Sequence, residues 1–599
     1  MLAGLLLWSV SVVFANKLAP HSLNITTPTA SDQLQKDPLM SEEASEDFSQ
    51  DLTTSLGEVP PVAGAFMELP PWLQSPEEIP GDVAEMVRWG NLERARVRLA
   101  DLASVALQNP SSATLARALL QEEERLRRLQ REYSLSGLEL LEKIQPSIPS
   151  VTATDLDNWR GSGELNHAMI DGQLRYHRRE PHGLWRLSEE ASALKAEAAK
   201  DPEAARRRGP RPARPTHLQR PTAPTTSSLA LQRDPSATSP RSDQRRTTDP
   251  HNLDNHIAQA LRAAAEEKTT EVLQRRFAVR HEIRVLPGKV PPGKVIRCWM
   301  PIPRDMRREG SGPQSGPLHL RSYPGPARLS SSDAPMATAY LEQPAAAVGE
   351  PTLFWIEYEY ETSARVPLGD ASLATSAPLD LTRPELAESL TSRSLLLPIE
   401  DPVFLESAWA IAGNNTPPLT RAWRIWAWID AHVRWVPEFE YAVLTRIPQK
   451  ALELRQADCG VQTLLFITLC RAVGIPARWQ SGWVTRPGNW NLHDWAEIHL
   501  EPWGWIPVDP SFGRRRSNDP AVRDFFFGHL DSYRMVANRD FARPFDPPKD
   551  HWPSDPIDNQ RGEVEWSGGN LYYDHWSYTV HVRLVNPQPK PHSSLVADE

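Results

Sequence analysis

The sequence predicts an α+β protein in which a helical N-terminal part, an antiparallel β domain and a mixed helix–hairpin core follow one another. Three observations predict it. Apolar residues recur at helical spacing between about 80 and 145. The period switches to two from Arg276, where Phe277, Val279, His281, Ile283 and Val285 alternate. From Asp458 to Phe512 an apolar helical run is followed by two alternating stretches joined by a turn. A chain of 599 residues, 40% apolar, holds several domains with real cores, and 57 Pro against 30 Gly points to extended linkers. The net charge of -10 is modest for this length, so no basic field argues for a nucleic-acid partner.

Each segment has its own reason. Residues 1–15 carry the apolar run Leu5 to Ala15, shorter than the ~20 residues of a membrane helix and ending in the small Ala15. This reads as a signal peptide, so the chain is expected to be exported, periplasmic or extracellular, with no membrane span after its removal. Residues 16–78 are acidic and polar (Ser41 to Asp47) and are expected to be disordered. Residues 79–146 form a helical region, with Val83, Met86, Val87, Leu92, Val97, Leu99 and Leu102 recurring at roughly helical spacing. In 147–192 a helix start at Thr154 precedes Asp171-Gly172 between short alternating stretches, a helix–hairpin, winged-like module. Residues 193–255, rich in Pro and Arg, read as a disordered linker. An antiparallel β domain spans 256–370, the core 371–530, and 531–599 form a C-terminal extension packing on the core.

The core carries the chemistry. Asp458 is placed to cap a helix whose first turn holds Cys459, where unpaired N–H groups favour a thiolate. Val461 to Val473 buries that helix, and Gly474-Ile475-Pro476 stops it. His493 opens a strand, Glu501 to Gly504 turns, and Trp505 to Asp509 returns beside it. Such a hairpin brings Asp509 to the end that holds His493. Cys459 as nucleophile, His493 as general acid and base, and Asp509 as orienter are the parts needed to attack an amide carbonyl through a thioester. The backbone N–H of Cys459 is a first oxyanion donor, with Tyr441 or Gln456 proposed for the second. Trp495, with neighbouring tryptophans such as Trp479 and Trp483, is a candidate for the substrate groove. Cys459 and Cys470, eleven residues apart on one helix, are roughly 16 Å apart and too distant for a disulfide. No cluster of metal ligands stands out, and no cofactor is expected.

The segment Leu454 to Phe512 resembles the transglutaminase-like core, a papain-like cysteine-catalysis fold. The resemblance rests on Asp458-Cys459-Gly460, Leu469 to Arg478, His493-Asp494-Trp495-Ala496-Glu497 and Gly504 to Pro510. It implies a Cys459, His493, Asp509 triad. It also makes the preceding β region, with Trp299 to Pro303, a β-sandwich, and the tail Asp558 to Trp566 similar to that of large exported bacterial members. Protein or peptide substrates follow, with hydrolysis as peptidase or amidase favoured over crosslinking. The alternative is a catalytically silent scaffold that binds protein partners. Asp494 stands where the family usually has a small residue. Because it should point to the face opposite His493, a modest effect is expected.

Overall fold

The computed structural model describes residues 68–200, 252–367, 369, 379–393 and 396–585. The leader, the acidic segment up to residue 67 and the linker from 201 to 251 lie outside the described residues.

The N-terminal part is helical: α1 (Gly81–Arg88), α2 (Leu92–Leu107), α3 (Ala113–Glu132), α4 (Gly137–Ile144), α5 (Ala153–Gly161) and α6 (Glu189–Ala198). Capping boxes start two of them. Ser136 and Glu139 exchange bonds at α4, and Thr152 and Asp155 do so at α5. Between α5 and α6, β1 (His167–Ile170) and β2 (Gln173–Tyr176) form a hairpin. Its turn residues Asp171 and Gly172 have φ of 49° and 78°, the paired positive values of a tight two-residue hairpin turn.

Three segment boundaries need correction. Residues 68–78, expected to be disordered, carry a short turn that buries Trp72 and Leu73 against the helices. The helical region and the winged-like module are not separate, because Leu140 and Ile144 of α4 share one cluster with Trp159, Tyr176 and Leu184. Both ends of the expected linker 193–255 are helical: α6 reaches Ala198, and α7 (Leu253–Glu267) begins at Leu253.

The β domain follows with β3 (Glu271–Val285), β4 (Val295–Pro301), β5 (Leu318–Tyr323), β6 (Arg328–Leu329), β7 (Thr338–Pro344) and β8 (Thr352–Arg365). Along β8 every second residue is buried, among them Phe354, Ile356, Tyr358 and Tyr360, as a sheet with one face on a core requires.

The core begins with α8 (Pro402–Ala412) and α9 (Pro418–His432). The short strands β9 (Arg434–Trp435) and β10 (Gln456–Ala457) pair in parallel and flank α10 (Ile447–Leu454). After α11 (Cys459–Ala472) come β11 (Ala477–Arg486), β12 (Asn489–Leu500), β13 (Gly504–Val508) and β14 (Arg534–Asn538). These form one antiparallel sheet in the order β13-β12-β11-β14.

The C-terminal extension does more than pack on the core. Its β14 is a strand of the core sheet, while β15 (Glu563–Trp566), β16 (Gly569–Asn570) and β17 (Trp576–Val585) belong to the sandwich. The two sandwich sheets run β16-β15-β4-β7-β6 and β17-β3-β8-β5. The long β3 and β4 would otherwise each present an open edge of unpaired N–H and C=O groups, which β17 and β15 cover. None of the described helices is long and apolar enough to cross a membrane.

Candidate active site

Helix α11 presents Cys459. Asp458 adopts an extended backbone and accepts a hydrogen bond from the Val461 N–H at 3.2 Å, so Cys459 falls in the first turn. Val461, Leu464, Leu465, Phe466, Ile467 and Leu469 are all fully buried, the pattern of a helix enclosed on every side. The helix stops where Gly474 takes a φ of 77° ahead of Ile475-Pro476. Gly460 is required by space: a Cβ there would lie 2.1 Å from the Tyr441 hydroxyl and 2.9 Å from Asp494 Oδ2.

The β12–β13 hairpin supplies the other two residues. The register Ala496↔Val508 carries Asp509 just past the paired region, and His493 Nε2 lies 2.7 Å from Asp509 Oδ2. Asp509 Oδ1 accepts the backbone N–H groups of Ser511 at 3.1 Å and Phe512 at 2.8 Å. Burial pushes the Asp509 carboxyl up, but His493 and Arg534 outweigh it and hold the group down to about 2. The carboxylate is therefore ionised at neutral pH. Burial lowers His493, Asp509 raises it and Arg534 lowers it again, with a net shift downward. Its ring meets Phe512 edge-on at 4.7 Å.

Cys459 engages a different partner. Its Sγ donates to Asp494 Oδ2 at 3.1 Å, and among the described residues it makes no hydrogen bond to His493. His493 and Asp494 are successive residues of a strand, so their side chains leave opposite faces. Asp494 does point away from His493, as expected. The expected modest effect is corrected, because that face is where the thiol sits. Burial, and then the charges of Asp494 and Asp458, push the Cys459 thiol well up, partly offset by the Asp494 backbone N–H. In this arrangement Cys459 is a thiol, not the thiolate that its place at a helix start suggests.

Asp494 is itself held in place. Gln560 Nε2 donates to Asp494 Oδ1, to Asp558 Oδ2 at 3.0 Å and to the His493 carbonyl at 3.4 Å, while Ser481 Oγ donates to Asp558. Burial and then the Asp558 and Asp458 charges raise the Asp494 carboxyl well above the usual range.

The remaining candidates divide. Tyr441 lies at the site, but its hydroxyl donates to Asp458 Oδ1 at 2.8 Å and so is committed to the helix cap. Gln456 sits in β10, where its carbonyl faces Lys450 Nζ at 3.4 Å. Trp495 needs correction as a groove residue. It is fully buried, donates to Gln480 Oε1 at 2.8 Å and packs with Met306, Leu530 and Val536. Trp479 and Trp483 are likewise buried in the core. Two participants escaped the sequence reading. Gln560 lies in the tail stretch that prompted the resemblance, which offered a signal without a role. Arg534 follows Ser532-Tyr533 in a stretch with no local pattern at all.

Residues 407–510 match the model of the Transglutaminase-like superfamily, so the segment bearing Cys459, His493 and Asp509 is a transglutaminase-like domain. Among solved structures, a candidate cysteine protease from Cytophaga hutchinsonii is 15% identical, over 54% of this chain and 94% of its own, with a TM-score of 0.36. The periplasmic domain of TgpA from Pseudomonas aeruginosa is 16% identical, over 44% of this chain and 92% of its own, with a TM-score of 0.20. No curated protein matches the chain.

Proposed function

We propose that the protein is a cysteine-dependent enzyme acting on protein or peptide amides through a thioester on Cys459. The observation that carries this reading is the buried 2.7 Å contact between His493 and an ionised Asp509, one residue along β12 from the group that holds the thiol. His493 takes the proton of Cys459 as Sγ bonds to the amide carbonyl carbon. The imidazolium then protonates the departing nitrogen as the C–N bond breaks. Water, or in a crosslinking reaction an amine, next attacks the thioester while His493 accepts its proton. The thiol returns with the proton on sulfur. Asp509 stays ionised and holds the ring, and the Cys459 N–H at the start of α11 faces the developing oxyanion. Because the thiol lies on the Asp494 face of β12 and His493 on the other, this chemistry requires the His493–Asp494 stretch to rearrange so that the ring faces Cys459. Resolution by water is the favoured outcome, and the apolar run Leu5 to Ala15 supports export.

A second reading, a silent scaffold that binds protein partners, is favoured by one observation: the thiol hydrogen-bonds Asp494 rather than His493. Turnover of a peptide-amide panel, with water or a lysine analogue as acceptor, separates the two. Turnover by the native protein that disappears in a folded Cys459→Ala variant is expected. Equal turnover by both proteins, or none by either alongside Cys459 alkylation that rises only near the free-thiol value of about 8.5, would leave the scaffold.

A further inference from the structure

We propose that Arg534 is a positioning residue of this site, clamping the Asp509 oxygen that receives His493. The proposal rests on the reading of His493 and Asp509 as the base and its orienter. Arg534 lies on β14, outside the matched span of the family model, and is brought to the site by pairing with β11 at Val484↔Arg534.

Its guanidinium is buried and held on three sides. Nε donates to Asp531 Oδ2 at 2.9 Å, Nη1 donates to Asp509 Oδ2 at 2.8 Å, and the plane lies over Phe512 at 4.4 Å and Trp495 at 5.3 Å. Asp509 Oδ2 is thus shared by Arg534 Nη1 and His493 Nε2, while Oδ1 is fixed by two backbone N–H groups. Neither oxygen is free to swing, so the direction from which His493 is held is set by Arg534 as well as by the loop after β13. Stability alone would be served by the Arg534–Asp531 pair. The bond to the same oxygen that takes the imidazole is what assigns Arg534 to the site.

The sharing has a charge consequence. The charged groups acting on His493 are Asp509, Arg534 and Asp531. A guanidinium on the orienting carboxylate draws on the negative charge that would otherwise favour imidazolium, so the ring is less basic than in an isolated His–Asp pair. Removing the cation should make His493 more basic, and removing Asp531 should make it less so.

The test uses the full-length protein with Arg534→Gln, Arg534→Lys and Asp531→Asn, each checked for folding by circular dichroism. Hydrogen–deuterium exchange at the His493 ring carbon, followed against pH by peptide mass spectrometry, reads the protonation of that one ring. Iodoacetamide alkylation of Cys459 over the same pH range reads the thiol. The expected result is an upward shift of the His493 midpoint by about one pH unit in Arg534→Gln, a smaller one in Arg534→Lys, and a downward shift in Asp531→Asn. An unmoved midpoint in folded Arg534→Gln overturns the proposal. Should that variant not fold, the absence of a downward shift in Asp531→Asn overturns it instead. A His493 midpoint that moves while the Cys459 profile stays fixed leaves the clamp standing and sinks the Cys459–His493 reading.

Discussion

Asp494 is the residue whose role changed most between pattern and structure. Strand alternation in His493-Asp494-Trp495 shows which face a side chain takes, but not what lies across from that face. The His493–Asp509 pairing was legible because a hairpin with a short turn returns its strand to the same end. The thiol's contact was not, because it depends on how α11 docks on β12. Charge on Asp494 opposes charge on the neighbouring sulfur, so after burial Asp494 raises the thiol. Asp494→Asn should lower it and increase the Cys459 alkylation rate at pH 7 by roughly tenfold for each unit released. A rate equal to that of the native protein would mean that Asp494 does not control the thiol.

At the scale of the element, α11 depends on a cap that is also an acid. Burial and then Glu438 push the Asp458 carboxyl up to about 6, although it accepts bonds from Tyr441 and Val461. A folded value above the unfolded value of about 3.9 favours the protonated form of the folded state. The contribution is therefore full below about pH 4 and is lost as the pH rises through about 6, by at most about 3 kcal/mol. Asp458→Asn keeps an accepting oxygen for the cap and removes the titration. Its melting temperature should fall less than that of the native protein between pH 4 and 7, and parallel curves would exclude Asp458 as the source. The cap and both ends of α11 were legible because each has a local signature in Asp458, Gly474 and Pro476. The sharing of Asp458 with Tyr441, which reaches it from the segment ahead of α10, has none.

Across the whole molecule, the local patterns found most of the strands and helices but missed how distant segments close on one another. Glu440 shows why. It accepts from Arg178 and Arg179 of the N-terminal part, each at 2.7 Å, and from Arg561 of the C-terminal segment at 2.8 Å. Burial would raise this carboxyl, but the three cations hold it well below its ordinary range. No spacing in the sequence announces a bond between residues so far apart. Glu440→Gln takes this anion from Arg179 and Arg561, while Arg178 keeps Glu132 at 2.6 Å, and should cost about 3 kcal/mol in urea denaturation. A loss below 1 kcal/mol would show that solvent already compensates them.

The strands that complete the sandwich also bear on timing during synthesis. A growing chain makes Cys459, His493 and Asp509 long before it makes Gln560, and β17 lies beyond that again. Until Gln560 has left the ribosome Asp494 has no brace, so the setting of the thiol described here exists only in a chain that has grown past that residue, and β3 gains β17 later still.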